Sequence, residues 1–330
     1  MVSCLLIKFR HLTPLHIGNG RENYDFAASS LQSDTISAAL AAMKAQTKGC
    51  GNLRDFMDSF IISSAFPYIG NRYFLPKPMG RIDLEITDED EYVARKKIKK
   101  ISFVERKLWE ELITGKKLRV KESQLQECFL LADGGDEYQD TPYRTQVNQR
   151  VKVPLDGRAD AEPFFFEWTF FHEDAGLYCL LQAPVNIQDE LVTLFRLLGE
   201  CGIGTDKSMG GGKFEVESGI VSLPVVSEAN ATMLLSLYTP TETEVPQLHL
   251  PESCYELILR GGYIAGSSYP DFMHLRKKSV YMFNVGSVFH TSFELKGKIV
   301  DLRPEWNDEL LHPVFRSGKP FTVSIKRPQL

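Results

Sequence analysis

Hydrophobic positions along this chain of 330 residues follow two rhythms, a period of two and a period near 3.6. In residues 4–10 (CLLIKFR), Leu5, Ile7 and Phe9 alternate against Leu6, Lys8 and Arg10, which predicts a strand. Pro14, Gly18 and Gly20 stop it in a loop that contains His16. A helix is predicted next, with Ser33 or Asp34 as its cap and Ile36, Leu40 and Met43 at i, i+4 and i+7. Lys44 and Lys48 lie near its end, before Gly49. Asn52 caps a second predicted helix carrying Leu53, Phe56, Met57, Phe60 and Ile61. From Tyr68 to about Pro163, acidic, basic and Gly/Pro-bearing stretches follow one another, which reads as an insertion. Regular patterning resumes at Phe164. FFFEWTFF and LYCLLQA predict two strands joined by HEDAG, a hairpin-sized connector containing Gly176. Asp189 and Glu190 open an amphipathic helix with Ile187, Leu191, Leu194, Phe195 and Leu198 on one face, and Gly199 and Gly202 close it. KFEVESGIVSL is a further strand.

The predicted order over residues 4–223 is therefore β-α-β-β-α-β, the ferredoxin-like order, with the insertion between the first helix and the second strand. Pro240, Pro246 and Pro251 follow the strand ATMLLSLY, and SCYELILRGG, KKSVYMFNVGSVF, GKIVDL and PFTVSIK predict more strands. The fold class is α+β, with a first domain over 1–225 and a shorter one over 226–330. Hydrophobic content of 43% with 25% charged residues excludes wholesale disorder and a fibrous rod. No stretch approaches the roughly 18 apolar residues of a membrane helix, and Lys8 and Arg10 interrupt the start before a signal-peptide core forms. Six scattered cysteines without a C-x-x-C pair argue against structural zinc and a disulfide framework, and fit a reducing cytoplasm.

The net charge of −5 does not announce a nucleic-acid binder, so local charge has to carry any such claim. Residues 95–121 hold eleven Lys or Arg against Glu105, Glu110 and Glu111, which is +8 locally and leaves −13 elsewhere. Asp83, Glu85, Asp88, Glu89, Asp90 and Glu91 precede that run, so a solvated, internally paired face is the first reading and a polyanion contact the second. Arg144, Arg150 and Lys152 lie on an extended stretch where alternation puts Arg150 and Lys152 on one strand face. The loop of residues 202–212 (GIGTDKSMGGG) is the most informative segment, with five glycines in eleven residues. It lacks the third glycine of a dinucleotide-binding turn and follows a helix instead of opening one. It also fails the P-loop pattern, because Lys207 stands where a glycine is required. Two readings stay open: an anion nest of main-chain amides flanked by Lys207, Ser208 and Lys213, or a generous helix-to-strand turn with incidental lysines. Ser33-Asp34-Thr35 reads as ordinary capping or as hydrogen-bonding to amides or bases. His16 reads as a hydrogen-bonding or stacking group in preference to a general base, because no partner is evident.

The strand with P-L-H-I-G, the S-D-T-I-S-A-A-L helix start, I-S-S-A-F-P-Y with Y-F-L-P-K-P, V-K-V-P and G-I-G-T-D-K-S occur in that order. They are followed by L-L-S-L-Y-T-P-T, Y-E-L-I-L-R-G-G, R-K-K-S-V-Y-M-F, G-S-V-F and H-P-V-F-R-S-G. Taken together, across residues 4–320, they resemble the RAMP-superfamily subunit of type III-A CRISPR Csm effector complexes that holds the crRNA 5′ handle. The resemblance implies two ferredoxin-like (RRM-like) domains with a thumb-like insertion in the first. It implies a non-catalytic antiviral-defence subunit without cofactor or metal, contacting crRNA, the large signature polymerase/nuclease subunit and an adjacent backbone RAMP subunit. By position, His16, Gly18 and Ser33-Asp34-Thr35 would line the handle site, and Arg150 and Lys152 would belong to the thumb. Lys207, Ser208, Met209 and Gly210, Gly211 and Gly212 would cradle phosphates. Lys207 replaces a customary arginine and Met209 a small residue, which substitutes a point charge for a bidentate fork. Leu155-Asp156-Gly157-Arg158 is looser than the family's thumb sequence. The competing expectation is a metal-independent endoribonuclease acting on precursor crRNA through His16 with Tyr24 or Tyr143, and a third is a scaffold with mainly protein contacts.

Overall fold

The computed structural model describes residues 2–18, 30–49, 51–133, 141–153, 160–264, 267, 269–291, 293–306 and 308–327. Its centre is an antiparallel sheet in which the first strand, Val2–Arg10, lies between Glu215–Leu223 and Ala175–Gln182. Phe66–Ile69 pairs on the far side of Ala175–Gln182, and Ile61–Ile62 extends the same edge. Taken along the chain as first to fourth strand, the spatial order is fourth, first, third, second. Helices α1 (Ser33–Lys48), α2 (Leu53–Asp58) and α5 (Val185–Cys201) cover one face. Ile7 and Phe9 of the first strand, and Leu177, Cys179 and Leu181 of the third, bury against Ile36, Leu40, Leu191, Phe195 and Leu198. That is the alternation of a pleated strand meeting the 3.6-residue stripe of a helix.

The strand of residues 162–171 is not part of this sheet, contrary to the sequence expectation. Glu162–Phe171 pairs antiparallel with Tyr143–Lys152 over ten residue pairs, as a separate two-stranded ribbon. The connector HEDAG passes the chain from that ribbon into the sheet instead of closing a hairpin. The second sheet strand comes from residues 61–69, so the insertion lies between the second and third strands. Two serines and a proline break the strand signal there. Ser63 N–H donates to Leu180 O at 2.9 Å, while Leu180 N–H donates to Ser63 Oγ at 2.9 Å, so a hydroxyl replaces part of the ladder. Pro67 lies within the strand opposite Leu177.

The other sheet face is covered by the insertion and by the C-terminal strands. Tyr178, Leu180, Phe66 and Tyr68 share a core with Ala94 of α3 (Glu91–Lys100), with Trp109 and Leu112 of α4 (Arg106–Ile113) and with Met233, Leu235, Phe321 and Val323. Residues on both sides of position 225 thus contribute to one core. Among the described residues no α-helix follows α5, and the C-terminal segment consists of short strands and 3-10 turns. The helices expected of a second ferredoxin-like unit are not among them.

Candidate nucleic-acid interface

The glycine loop leaves α5 with Gly202 N–H donating to Leu198 O at 2.8 Å and folds back on the segment after the first strand. Ile203 N–H reaches Gly212 O, Gly212 N–H reaches Pro14 O and Thr205 N–H reaches His16 O, at 2.9 to 3.0 Å. Thr13 Oγ donates to Gly210 O and accepts from Lys213 N–H, both at 2.8 Å. Gly212 has φ +67, and a Cβ there would stand 1.9 Å from Ile203 O, so the turn closes only around glycine. The amides of Gly210, Gly211 and Gly212 are therefore spent on internal carbonyls. They do not form the open anion nest that was one of the two sequence readings. The side chains behave differently. A 3-10 turn, Lys207–Met209, forms an exposed tip on which Met209 is 74% exposed. Lys207, Ser208 and Lys213 face solvent, and neither lysine has a carboxylate partner among the described residues.

The ribbon is seated on this loop by residues that the sequence had assigned to ligand contact. Arg150 lies 4.5 Å over the Phe166 ring and 5.2 Å over Trp168, and its guanidinium pairs with Asp206 of the loop. The Trp168 ring packs so closely on Gly211 that a Cβ there would approach it to 2.9 Å. His16 is 1% exposed, with Nδ1 2.7 Å from Glu167 O and its ring 4.3 Å from that of Phe166. As placed, His16 and Arg150 brace the ribbon, whereas Gly18, Arg144 and Lys152 remain exposed. Lys152 shares the Arg150 face of the ribbon, as alternation requires, opposite Glu162. Tyr143 pairs with Phe171, four residues along the strand from Glu167, or roughly 13 Å from the His16 contact. Burial pushes the Tyr143 hydroxyl well above its ordinary pKa. His16 and Tyr143 are thus not brought together as an acid–base pair. Tyr24 and Leu155-Asp156-Gly157-Arg158 lie outside the described residues.

A second cluster forms at the start of α1. Ser33 and Asp34 are buried, not capping the helix with their own side chains: Ser33 N–H donates to Ser64 Oγ at 3.0 Å, and Ser33 Oγ accepts from Leu237 N–H at 2.9 Å. Asp34 is fully buried and takes a bidentate pair of bonds from Arg260, Nε and Nη2 each at 3.0 Å. Arg260 Nη2 also donates to Thr35 Oγ at 2.9 Å, and Arg316 Nη1 donates to Asp34 O at 3.0 Å. Burial by itself would raise the Asp34 pKa, but Arg316 and Arg260 outweigh it and hold the carboxyl below its ordinary value. Burial, reinforced by the neighbouring Arg316 charge, lowers Lys277 to about 7. Sequence reasoning missed Arg260, Lys277 and Arg316. The signal was present, since each sits in one of the C-terminal motifs, R-G-G, R-K-K-S-V and F-R-S-G.

Residues 227–325 match the family model described as the CRISPR Csm4 C-terminal domain. A Mycobacterium tuberculosis protein named CRISPR system Cms protein Csm4 is 25% identical over 315 residues, covering 93% of each chain. A Thermococcus onnurineus protein of the same name is 26% identical over 314 residues, covering 90% of this chain and 92% of that one. The chain is thus similar over nine-tenths or more of its length to proteins named Csm4, and its C-terminal part matches the Csm4 C-terminal domain. Its fold is shared with a chain of the Csm1–Csm4 cassette crystallised with cA4, at TM-score 0.64 and 19% identity with full coverage of both. A chain of the Csm3–Csm4 subcomplex of the type III-A interference complex matches at TM-score 0.64 and 18% identity, over 98% of this chain and all of that one.

The basic run of residues 95–121 is in part internally paired. Arg95 pairs with Glu91, Lys97 with Glu89, Arg106 with Glu110 and Lys117 with Glu85, at 2.6 to 2.7 Å. Among the described residues, no helix is long and apolar enough to cross a membrane, and no cluster of three His, Cys, Asp or Glu side chains could hold a metal ion.

Proposed function

We propose that this chain is the non-catalytic crRNA 5′-handle-binding subunit of a type III-A Csm interference complex, bridging the large signature subunit and an adjacent backbone RAMP subunit. The match to the Csm4 C-terminal domain, the similarity to proteins named Csm4 and the fold shared with chains of Csm1–Csm4 and Csm3–Csm4 assemblies support the complex. In this reading the first unit is a ferredoxin-like RAMP domain, the two-stranded ribbon is its thumb, and the complex acts in the cytoplasm. The observation that carries the RNA grip is the exposed loop tip. Lys207 and Lys213 stand in solvent with no carboxylate partner among the described residues, on a loop whose backbone is fixed by internal hydrogen bonds. A rigid loop presenting ammonium groups holds a phosphate backbone without reading its sequence and pays little ordering entropy on binding. Arg144 and Lys152 on the ribbon extend the cationic surface. The test is retention of crRNA by the assembled complex after Lys207→Ala with Lys213→Ala. Loss of handle-bearing RNA with the protein assembly intact supports the grip, and full retention refutes it.

A further inference from the structure

The cluster around Asp34 holds more positive charge than its single carboxylate can answer. Arg260 occupies both Asp34 carboxylate oxygens, and Arg316 binds the Asp34 carbonyl with one nitrogen. The remaining donors of Arg316, its Nε and Nη2, make no hydrogen bond among the described residues. Lys277 is 9% exposed, and its ammonium has no hydrogen-bond partner among the described residues. Lys277 N–H donates to Gly262 O at 2.9 Å, two residues beyond Arg260, so three cations gather about one carboxylate at the first turn of the 16-residue helix α1, whose N-terminal end adds positive potential. A buried ammonium that shares a single carboxylate with two guanidinium groups is expensive, and sites that keep one are functional-site candidates. The Arg260 and Arg316 side chains retain 18% and 13% exposure, so the cluster is not sealed from solvent.

We propose that Lys277 and Arg316, set by Asp34 and Arg260, form a phosphate-binding subsite that takes one backbone phosphate of the bound RNA. The choice of RNA as the source rests on the function proposed above. The donors are all N–H groups with no free acceptor among them, which matches an oxyanion that only accepts. Asp34 and Arg260 are positioning residues here: the carboxylate orients the two guanidinium groups and leaves the ammonium to the ligand.

The test uses the full chain, a single-stranded RNA octanucleotide and inorganic phosphate. Lys277→Met keeps most of the side-chain length and removes the charge. It is expected to weaken octanucleotide binding at least fivefold and to flatten the log–log salt dependence by about 0.7, the loss of one phosphate contact on a single strand. Phosphate at ionic strength matched with chloride is expected to raise the Tm of the parent chain and leave that of Lys277→Met unchanged. An unchanged RNA affinity and slope in Lys277→Met, or an equal phosphate effect in both proteins, would overturn the subsite. Loss of binding in Lys207→Ala/Lys213→Ala with none in Lys277→Met leaves the loop grip standing and removes the subsite. If the parent chain binds no octanucleotide, the RNA grip fails and the phosphate arm alone decides. A hexaglutamate peptide that raises the parent Tm where phosphate does not would likewise overturn a phosphate ligand in favour of an acidic peptide.

Discussion

Lys277→Met should make the free protein more stable at neutral pH, and the gain should vanish in alkali. In the folded chain the ammonium is lowered from 10.5 to about 7 by burial and by Arg316, with Arg260 adding to it and Asp34 opposing it. The unfolded chain keeps its proton up to the ordinary lysine range, so between pH 7 and 10.5 the unfolded state binds more protons and native stability rises with pH. At about 1.4 kcal/mol per unit, the folded chain carries a penalty on the order of 5 kcal/mol below pH 7. Solvent entry and side-chain relaxation make this an upper bound, and methionine keeps most of the packing of the stem. Urea unfolding followed by the fluorescence of the three tryptophans, repeated at several pH values, measures the difference between variant and parent. The variant is expected to be more stable at pH 7, with the gap shrinking steadily towards pH 10.5. A gap independent of pH, or a less stable variant at pH 7, would refute the unpaired buried ammonium. Other titrating groups are common to both proteins and cancel in the difference.

Asp34→Ala should cost about 3–5 kcal/mol, because it leaves Arg260, Arg316 and Lys277 as uncompensated charges in the core; thermal or urea unfolding reads this directly. Gly212→Ala forces a Cβ to within 1.9 Å of Ile203 O at φ +67, so it should destabilise by about 2 kcal/mol or more and shift the loop. Amide exchange at Ile203 and Gly212 would report the opened turn, and unchanged protection would contradict the packing. Arg150→Ala removes the stacking on Phe166 and Trp168 and the pair to Asp206. It should loosen the ribbon with little effect on global stability, read as faster proteolysis within residues 143–171, while equal cleavage rates would argue that the ribbon is held elsewhere.

Local rules made much of this molecule readable. The helical stripes of α1 and α5, the first strand and the glycine loop's position between the last helix and the last sheet strand all follow from periodicity and glycine placement. Alternation also placed Arg150 and Lys152 on one face of an extended stretch. What alternation does not reveal is which strand a run pairs with. Residues 162–171 have the strongest strand signal in the chain, yet they pair with Tyr143–Lys152 because their aromatic face fits the glycine loop and His16. Residues 61–69 have a weak signal, since Ser63, Ser64 and Pro67 interrupt it, and they nonetheless complete the sheet. The Asp34 cluster was hidden for a different reason: its partners Arg260 and Arg316 lie 226 and 282 residues downstream, and no local pattern measures such a distance. The glycines mark a backbone that needs close approach, but the approach is to the chain's own carbonyls, and the charge sits on the tip they support.

The most direct test of the RNA grip is the salt dependence of octanucleotide affinity for the full chain and for Lys207→Ala/Lys213→Ala. Two lost phosphate contacts on a single strand are expected to reduce the log–log slope by about 1.4, with weaker binding at every salt concentration. A slope and affinity identical to those of the parent chain would show that the loop tip does not hold RNA.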